Sequence, residues 1–188
     1  MSSHHIVREK QEPALLIMSL DSFDPEYLGQ LLEWSPTVIV NEPEYGKTEQ
    51  LGIKIDIVIS PNPDFAAQHH TRLILTETNP LEDALKFLIG EQYHAVNIIA
   101  GSFCIKDYAF FTESLNLVVF TNGKKIFPVK SGFSKWQTGG QTVELLHEAR
   151  HLHTSGLKYL NNAVYETEKD GFFSLSFEQP FIFVAEKL

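Results

Sequence analysis

The sequence has little cysteine: Cys104 is the only one among 188 residues. No intramolecular disulfide is possible, and the chain suits a reducing compartment. A chain of this length buries roughly 70% of its unfolded surface, so it needs no staple or structural metal to hold a core. It also lacks any apolar run near the ~20 residues of a membrane helix. Met1–Glu12 is polar, has no apolar signal-peptide core and is expected to fray, which makes the cytoplasm the expected location. Basic residues are few, 15 against 24 acidic, for a net charge of −9. That balance excludes broad electrostatic binding to nucleic acid or to an anionic membrane. Neither an internal repeat nor a low-complexity tract is present. What is present is a globular composition, 43% hydrophobic and 21% charged, enough for one ordinary domain or two small ones.

The first half alternates short apolar runs with helical patterns. Ala14–Met18, Thr37–Val40, Ile53–Ile59, Arg72–Leu75 and Ala95–Ala100 read as strands. Asp21–Trp34 reads as a helix, with Asp21, Ser22 and Asp24 as cap candidates, Pro25 in the first turn and Leu28, Leu31 and Leu32 on one face. Tyr45–Leu51 reads as a short helix stopping at Gly52. Pro80–Ile89 reads as a helix capped by Asn79, with Leu81, Ala84, Leu85 and Leu88 on one face. Near-continuous apolar strands alternating with helices predict a parallel sheet covered on both faces, a Rossmann-like α/β domain over residues 13–115.

The pattern changes near Leu115. Leu117–Phe120, Asn122-Gly123 and Lys125–Val129 spell a hairpin with a type I′ turn. Thr142–Leu146, Phe172–Phe177 and Phe181–Ala185 are further strands, while Val143–His153 also tolerates a helix. Residues 116–188 therefore read as an antiparallel β domain. Its aromatic residues (Phe127, Phe133, Trp136, Phe172, Phe173, Phe177, Phe181 and Phe183) are expected mostly in its core.

Open parallel sheets bind ligands outside the carboxyl ends of their strands. The loops of interest are thus 19–24, 41–46, 60–66, 77–80 and 101–108. Those loops, with the segments Leu51–Val58, Leu81–Leu88, Thr154–Asn162 and Phe172–Glu178, together resemble thiamine pyrophosphokinase. Thr154-Ser-Gly-Leu-Lys-Tyr-Leu-Asn-Asn162 is similar to that family's T-x-G-L-K-Y-P-L-N-N stretch, with the proline missing. Phe172–Glu178 is similar to its closing strands, Leu51–Val58 to its L-G-I-K-P-D-L segment and Leu81–Leu88 to its T-D-L-E-K-A-L helix. In order, these span roughly Ala14 to Glu186.

The resemblance implies an α/β domain followed by a C-terminal antiparallel β-sandwich, paired as a homodimer. It implies a reaction, transfer of a pyrophosphoryl group from ATP to thiamine, that needs Mg²⁺ held by carboxylates. At the positions it points to, the family's A-D-G-G loop falls on Asn41-Glu42-Pro43-Glu44 and G-D-F-D-S falls on Ser60-Pro61-Asn62-Pro63-Asp64. The T-D pair falls on Asn79-Pro80, and G-G-R-x-D-H falls on Cys104–Ala109 with Lys106 in the arginine position. The S-x-G-x-S-N-E thiamine-binding stretch has no counterpart between Val164 and the last strands. The acids left near the motifs, Glu42, Asp64, Glu77 and Asp107, are the implied Mg²⁺ ligands. Glu42, Glu77, Asp107 and Lys106 are the implied catalytic groups, and Asp64 and Asn79 would face the nucleotide. Proline at aspartate positions removes a ligand and a backbone donor together. The resemblance therefore implies weak or lost activity, and the alternative is a non-catalytic module that binds a nucleotide, a thiamine-like ligand or a protein partner on the same scaffold.

Other features read more plainly. His147, His151 and His153 would place the first two on one helix face or the last two on one strand face, where zinc is conceivable; surface histidines are the expectation. His69-His70 reads as solvated, Lys124-Lys125 as a solvated hairpin tip and Cys104 as a packed, inert thiol.

Overall fold

The computed structural model describes residues 12–188. The fraying expected at Met1–Glu12 falls, up to residue 11, outside them. The chain divides into two compact units, one ending at Leu117 and one running from Val118 to Leu188.

The first unit holds five parallel strands. β1 (Ala14–Ile17), β2 (Val38–Asn41), β3 (Ile57–Ser60), β4 (Arg72–Leu75) and β5 (Ala95–Ile99) lie in the order β5-β1-β2-β3-β4. The parallel pairings run in regular register, with Leu15 opposite Val38 and Asn97. All four residues of β1 are fully buried, as a sheet covered on both faces requires. On one face, Leu15, Ile17, Val40, Val58 and Ile99 form a core with Leu28 of α1 (Pro25–Leu32) and Tyr45 of α2 (Glu42–Gln50). α3 (Pro80–Gly90) packs on β3 and buries Ala84, Leu85 and Leu88 completely.

The helix boundaries follow from capping. α1 begins at Pro25, four residues later than expected, because Asp24 rather than Asp21 accepts the Glu26 N–H at 2.8 Å. α3 begins where expected: Asn79 accepts the Glu82 N–H at 3.2 Å, with Pro80 in the first turn. α2 is the main departure. It starts at Glu42, directly after β2, so the loop expected over 41–46 is helical from its second residue. Pro43 suits that first turn, having no N–H to leave unpaired. Glu44 in the same turn is buried, and its Oε2 accepts the Leu20 N–H at 3.1 Å. A side chain on α2 thus supplies the acceptor for the backbone leaving β1. β3 is shorter than the expected 53–59, because residues 53–56 connect α2 to the sheet.

The second unit is antiparallel throughout. One sheet orders β6 (Asn116–Thr121), β7 (Lys124–Val129), β14 (Ile182–Lys187), β9 (Thr142–Leu145), β12 (Val164–Thr167) and β11 (Leu157–Asn161) as β6-β7-β14-β9-β12-β11. A second sheet orders β10 (His153–Ser155), β13 (Gly171–Ser176) and β8 (Phe133–Gln137) as β10-β13-β8. The expected β6–β7 hairpin is present, with Asn122 and Gly123 at φ 49° and 69°. Val143–His153 is not a helix: β9 ends at Leu145 and turns follow. β8, β10, β11 and β12 lie outside the expected strands; they are short and mostly half-exposed, with little periodicity to read.

One core joins residues of both sheets, including Val129, Val143, Val184, Phe173 and Leu175. The Lys135 ammonium on β8 also donates to both oxygens of the nearly buried Glu186 on β14, at 2.7 and 2.5 Å. The chain passes from β10 to β11 at Gly156, where φ is +71°. A Cβ there would lie 2.8 Å from the Phe172 carbonyl oxygen. β11 is the outer strand of its sheet, exposed from Lys158 to Asn161, and its register with β12 shifts between Tyr159 and Asn161. The aromatic expectation holds for Phe173, Phe177 and Phe183, which are buried. It fails for Trp136 and Phe172, directly paired across β8 and β13 and 53% and 71% exposed, because strand alternation turns them away from Phe173 and Phe133.

Gly156→Ala is expected to cost about 2–3 kcal/mol, combining a strained backbone with a carbonyl clash, read as a lower denaturant midpoint at unchanged slope. Leu85→Ala should cost about 2–5 kcal/mol in the same measurement. Glu44→Ala should cost about 1–3 kcal/mol by stranding the Leu20 N–H, and Glu44→Gln, which keeps an acceptor, clearly less.

Candidate functional site

The strand order places a reversal at β1. The chain builds outward through β2, β3 and β4 and then returns to β5 on the other side of β1. Carboxyl ends at such a reversal are where open α/β sheets place ligands. Here the two exits are closely joined: the Met18 and Ser19 N–H groups both donate to Ile99 O, at 2.9 and 3.2 Å. Gly101 faces Ser19, where a Cβ would meet the side chain at 3.6 Å.

The exit of β1 carries a polar cluster. Lys47 of α2 donates to Asp21 at 2.8 Å and stands 3.8 Å from Glu44. That hydrogen bond holds the exposed Asp21 carboxyl below its ordinary range and raises Lys47. The exits of β2 and β3 are tied by one hydrogen bond: the fully buried Ser60 hydroxyl donates to the Glu42 carboxylate. Ser60 Oγ also accepts the Asn62 N–H at 2.9 Å, and Asn62 Oδ1 accepts the Asp64 N–H at 3.0 Å. At the exit of β4, the Thr76 hydroxyl donates to Asp83 of α3 at 2.5 Å.

After β5 the chain forms two short turns, α4 (Ile105–Tyr108) and a 3₁₀ turn over Ala109–Phe111. Tyr108 is buried and stacked on Phe103, with ring centroids 5.1 Å apart and planes 8° from parallel. Burial, with the neighbouring Asp107 and Cys104 adding to it, pushes the Tyr108 phenol well above its ordinary range. Cys104 is exposed rather than packed, because it precedes the first turn of α4 while Phe103 and Tyr108 supply the packing.

The residues singled out in the sequence are therefore dispersed in role. Glu42 is half-buried on α2 and bonded to Ser60. Asp64, Glu77, Lys106 and Asp107 are exposed, on the loop after β3, the loop after β4 and α4. The Asn79 side-chain oxygen is occupied as the cap of α3. Among the described residues, no three histidine, cysteine, aspartate or glutamate side chains converge as ligands for a metal ion. Glu42, Asp64, Glu77 and Asp107 are not assembled around one point, and the residues present do not fit a divalent cation bound between them. Ser60, Glu44, Lys47 and Asp83 escape a sequence reading, since each matters through a neighbour distant in the chain.

Neither the shared helix face nor the shared strand face forms, and His151 and His153 are exposed, as expected of surface histidines. His147 lies in the turn after β9 with its ring against Phe183, and its buried Nδ1 has no hydrogen-bond partner among the described residues. His151 sits at φ 49°, 3.6 Å from Glu178, and His153 begins β10. His69 and His70 are exposed and stand edge to face. Lys124 and Lys125 are not simply solvated: Lys124 pairs with Glu144 at 2.5 Å, and the Lys125 ammonium lies 5.7 Å from the Phe127 ring centre.

No protein-family model and no curated protein sequence matches the chain. Solved structures do. The chain is similar to thiamine pyrophosphokinase from Bacillus subtilis, at 14% identity over 93% of this chain and 98% of that one, with a TM-score of 0.67. It is similar to thiamin pyrophosphokinase from Candida albicans, at 10% identity over 94% and 90%, with a TM-score of 0.67. For the yeast thiamin pyrophosphokinase the values are 9% identity, 95% and 87% coverage, and 0.65. At these identities the likeness is one of fold, and this chain has the thiamine pyrophosphokinase fold.

Proposed function

We propose that this chain is a divergent thiamine pyrophosphokinase-like protein that keeps the scaffold and has lost or changed pyrophosphoryl transfer from ATP to thiamine. The observation that carries the reading is the start of α2. Where the sequence resemblance puts a glycine loop able to approach a phosphate, the chain enters a helix at Glu42 with Pro43 in its first turn. A helix N-terminus attracts anions through its free N–H groups and dipole. Here Glu42 and Glu44 occupy that turn, and both carboxylates have partners in the chain, Ser60 and the Leu20 N–H. A triphosphate would meet like charge with no assembled cation site to offset it. Pro61, Pro63 and Pro80 stand where the resemblance puts acids. Losing such electrostatic stabilisation costs orders of magnitude in rate.

As companion proposals, the two sheets of the second unit form a β-sandwich, the protein pairs as a homodimer, as the sequence resemblance implies, and it resides in the cytoplasm. A second reading, a protein-interaction module on the same scaffold, is favoured by the exposed Trp136–Phe172 pair.

In an assay with ATP, Mg²⁺ and thiamine, thiamine diphosphate formation should stay at background; robust turnover, abolished by Glu77→Ala or Asp107→Ala, would overturn the proposal. Thermal-shift measurements with thiamine and with ATP separate its two forms: stabilisation without turnover supports ligand binding on the scaffold, and no shift with either supports the protein-interaction reading.

A further inference from the structure

The first unit contains a cavity of about 590 Å³ lined by none of the candidate site residues named above. It is lined by Leu32, Ser35, Pro36, Thr37 and Val38 on one side and by residues 51–54 and Asp56 on the other. These are the end of α1 and the entry to β2, then the end of α2 and the entry to β3. The cavity therefore sits at the amino edge of the sheet, opposite the exits described above. Its volume falls in the range of small-molecule sites, roughly 300–1,000 Å³.

The lining has a consistent chemical character. Leu32, Pro36, Val38, Leu51 and Ile53 make an apolar wall, with Val38 buried and Leu51 57% exposed at the rim. Asp56 is the anionic group, only 26% exposed at its side chain. The Val38 N–H donates to one of its oxygens at 3.0 Å, and the Asp56 N–H donates to Val38 O at 3.0 Å, so both the carboxylate and the backbone of Asp56 are held at the start of β2. Its other oxygen is met at 2.6 Å by Lys54, whose side chain is 77% exposed. α1 and α2 both end on this cavity, and helix carboxyl ends carry partial negative charge. The Thr37 hydroxyl is engaged with the Tyr93 hydroxyl at 2.9 Å.

We infer that this cavity binds a small organic cation, a primary ammonium on a compact apolar body. The ligand's ammonium replaces Lys54 at Asp56, and its apolar part lies on Leu32, Val38, Leu51 and Ile53. The exchange removes little, because an exposed lysine–carboxylate pair contributes little. The apolar body then adds burial that Lys54 does not provide, and it shields the new ammonium–carboxylate pair from water, so that pair counts for more than the exposed Lys54 pair it replaces. An anion in the same cavity would face Asp56 and two helix carboxyl ends with only Lys54 in its favour. The inference concerns the opposite edge of the sheet from the proposed loss of phosphoryl chemistry and does not depend on it.

The test uses the full chain, ¹⁵N-labelled, titrated with phenethylamine and separately with its neutral and anionic analogues, 2-phenylethanol and 3-phenylpropionate. The amine should shift the amides of residues 35, 37 and 38 and residues 51–56, with both analogues at least about tenfold weaker. Asp56→Asn, which keeps an acceptor for the Val38 N–H, should weaken amine binding about tenfold. Lys54→Ala, a surface change that removes the competitor and leaves the fold alone, should tighten it about threefold. Equal binding of the amine and the alcohol, shifts confined to other residues, no shifts at all, or weaker binding in Lys54→Ala would each overturn the inference.

Discussion

β1 is withdrawn from water on both of its faces, and the polar chemistry of the first unit is arranged around that fact. A strand of Ala14, Leu15, Leu16 and Ile17 at the middle of a parallel sheet leaves no room for a charged side chain within the sheet. Around the central strand, charge falls at the two rims, where strands give way to helices and backbone groups lose their ladder partners. At each rim a carboxylate supplies the missing acceptor. Glu44 takes the Leu20 N–H where β1 ends, and Asp56 takes the Val38 N–H where β2 begins. Both acids serve the backbone first, and that duty limits what else each rim can do.

The rims differ in what remains. At the carboxyl rim, Glu42, Glu44 and Asp83 accept hydrogen bonds from Ser60, Leu20 and Thr76, while Asp64, Glu77 and Asp107 stand apart in solvent. Its acids are committed or dispersed, and a shared fold does not by itself supply a site's chemistry. The amino rim keeps a carboxylate beside an apolar wall, with an exposed lysine as its charged partner. Two edges of one sheet thus offer opposite opportunities, although the acidity of the chain as a whole distinguishes neither.

Much of the fold was legible in the sequence because it rests on short-range signals. Arg72–Leu75, the Asn79 cap with Pro80, and the Asn122-Gly123 turn each announce themselves within a few residues. The start of α2 did not, because Glu42-Pro43-Glu44 continues straight from a strand with no intervening turn residue. β8, β10, β11 and β12 were missed because their half-exposed side chains alternate weakly. The candidate site was legible only as a set of loops. Which acid meets which donor depends on strand neighbours: Glu42 reaches Ser60 because β2 lies beside β3 with Asn41 opposite Ile59. No spacing along the chain reveals that contact.

The irregular outer strand of the second unit bears on how the protein behaves when concentrated. A long, flat, apolar edge is a template for pairing with other chains. β11 carries Tyr159 and Leu160 at such an edge, yet Lys158 stands beside them and the register shift at Tyr159/Asn161 breaks the ladder after three residue pairs. Charge and a local twist at one position blunt the edge, so two modest irregularities guard an aromatic strand against runaway self-association.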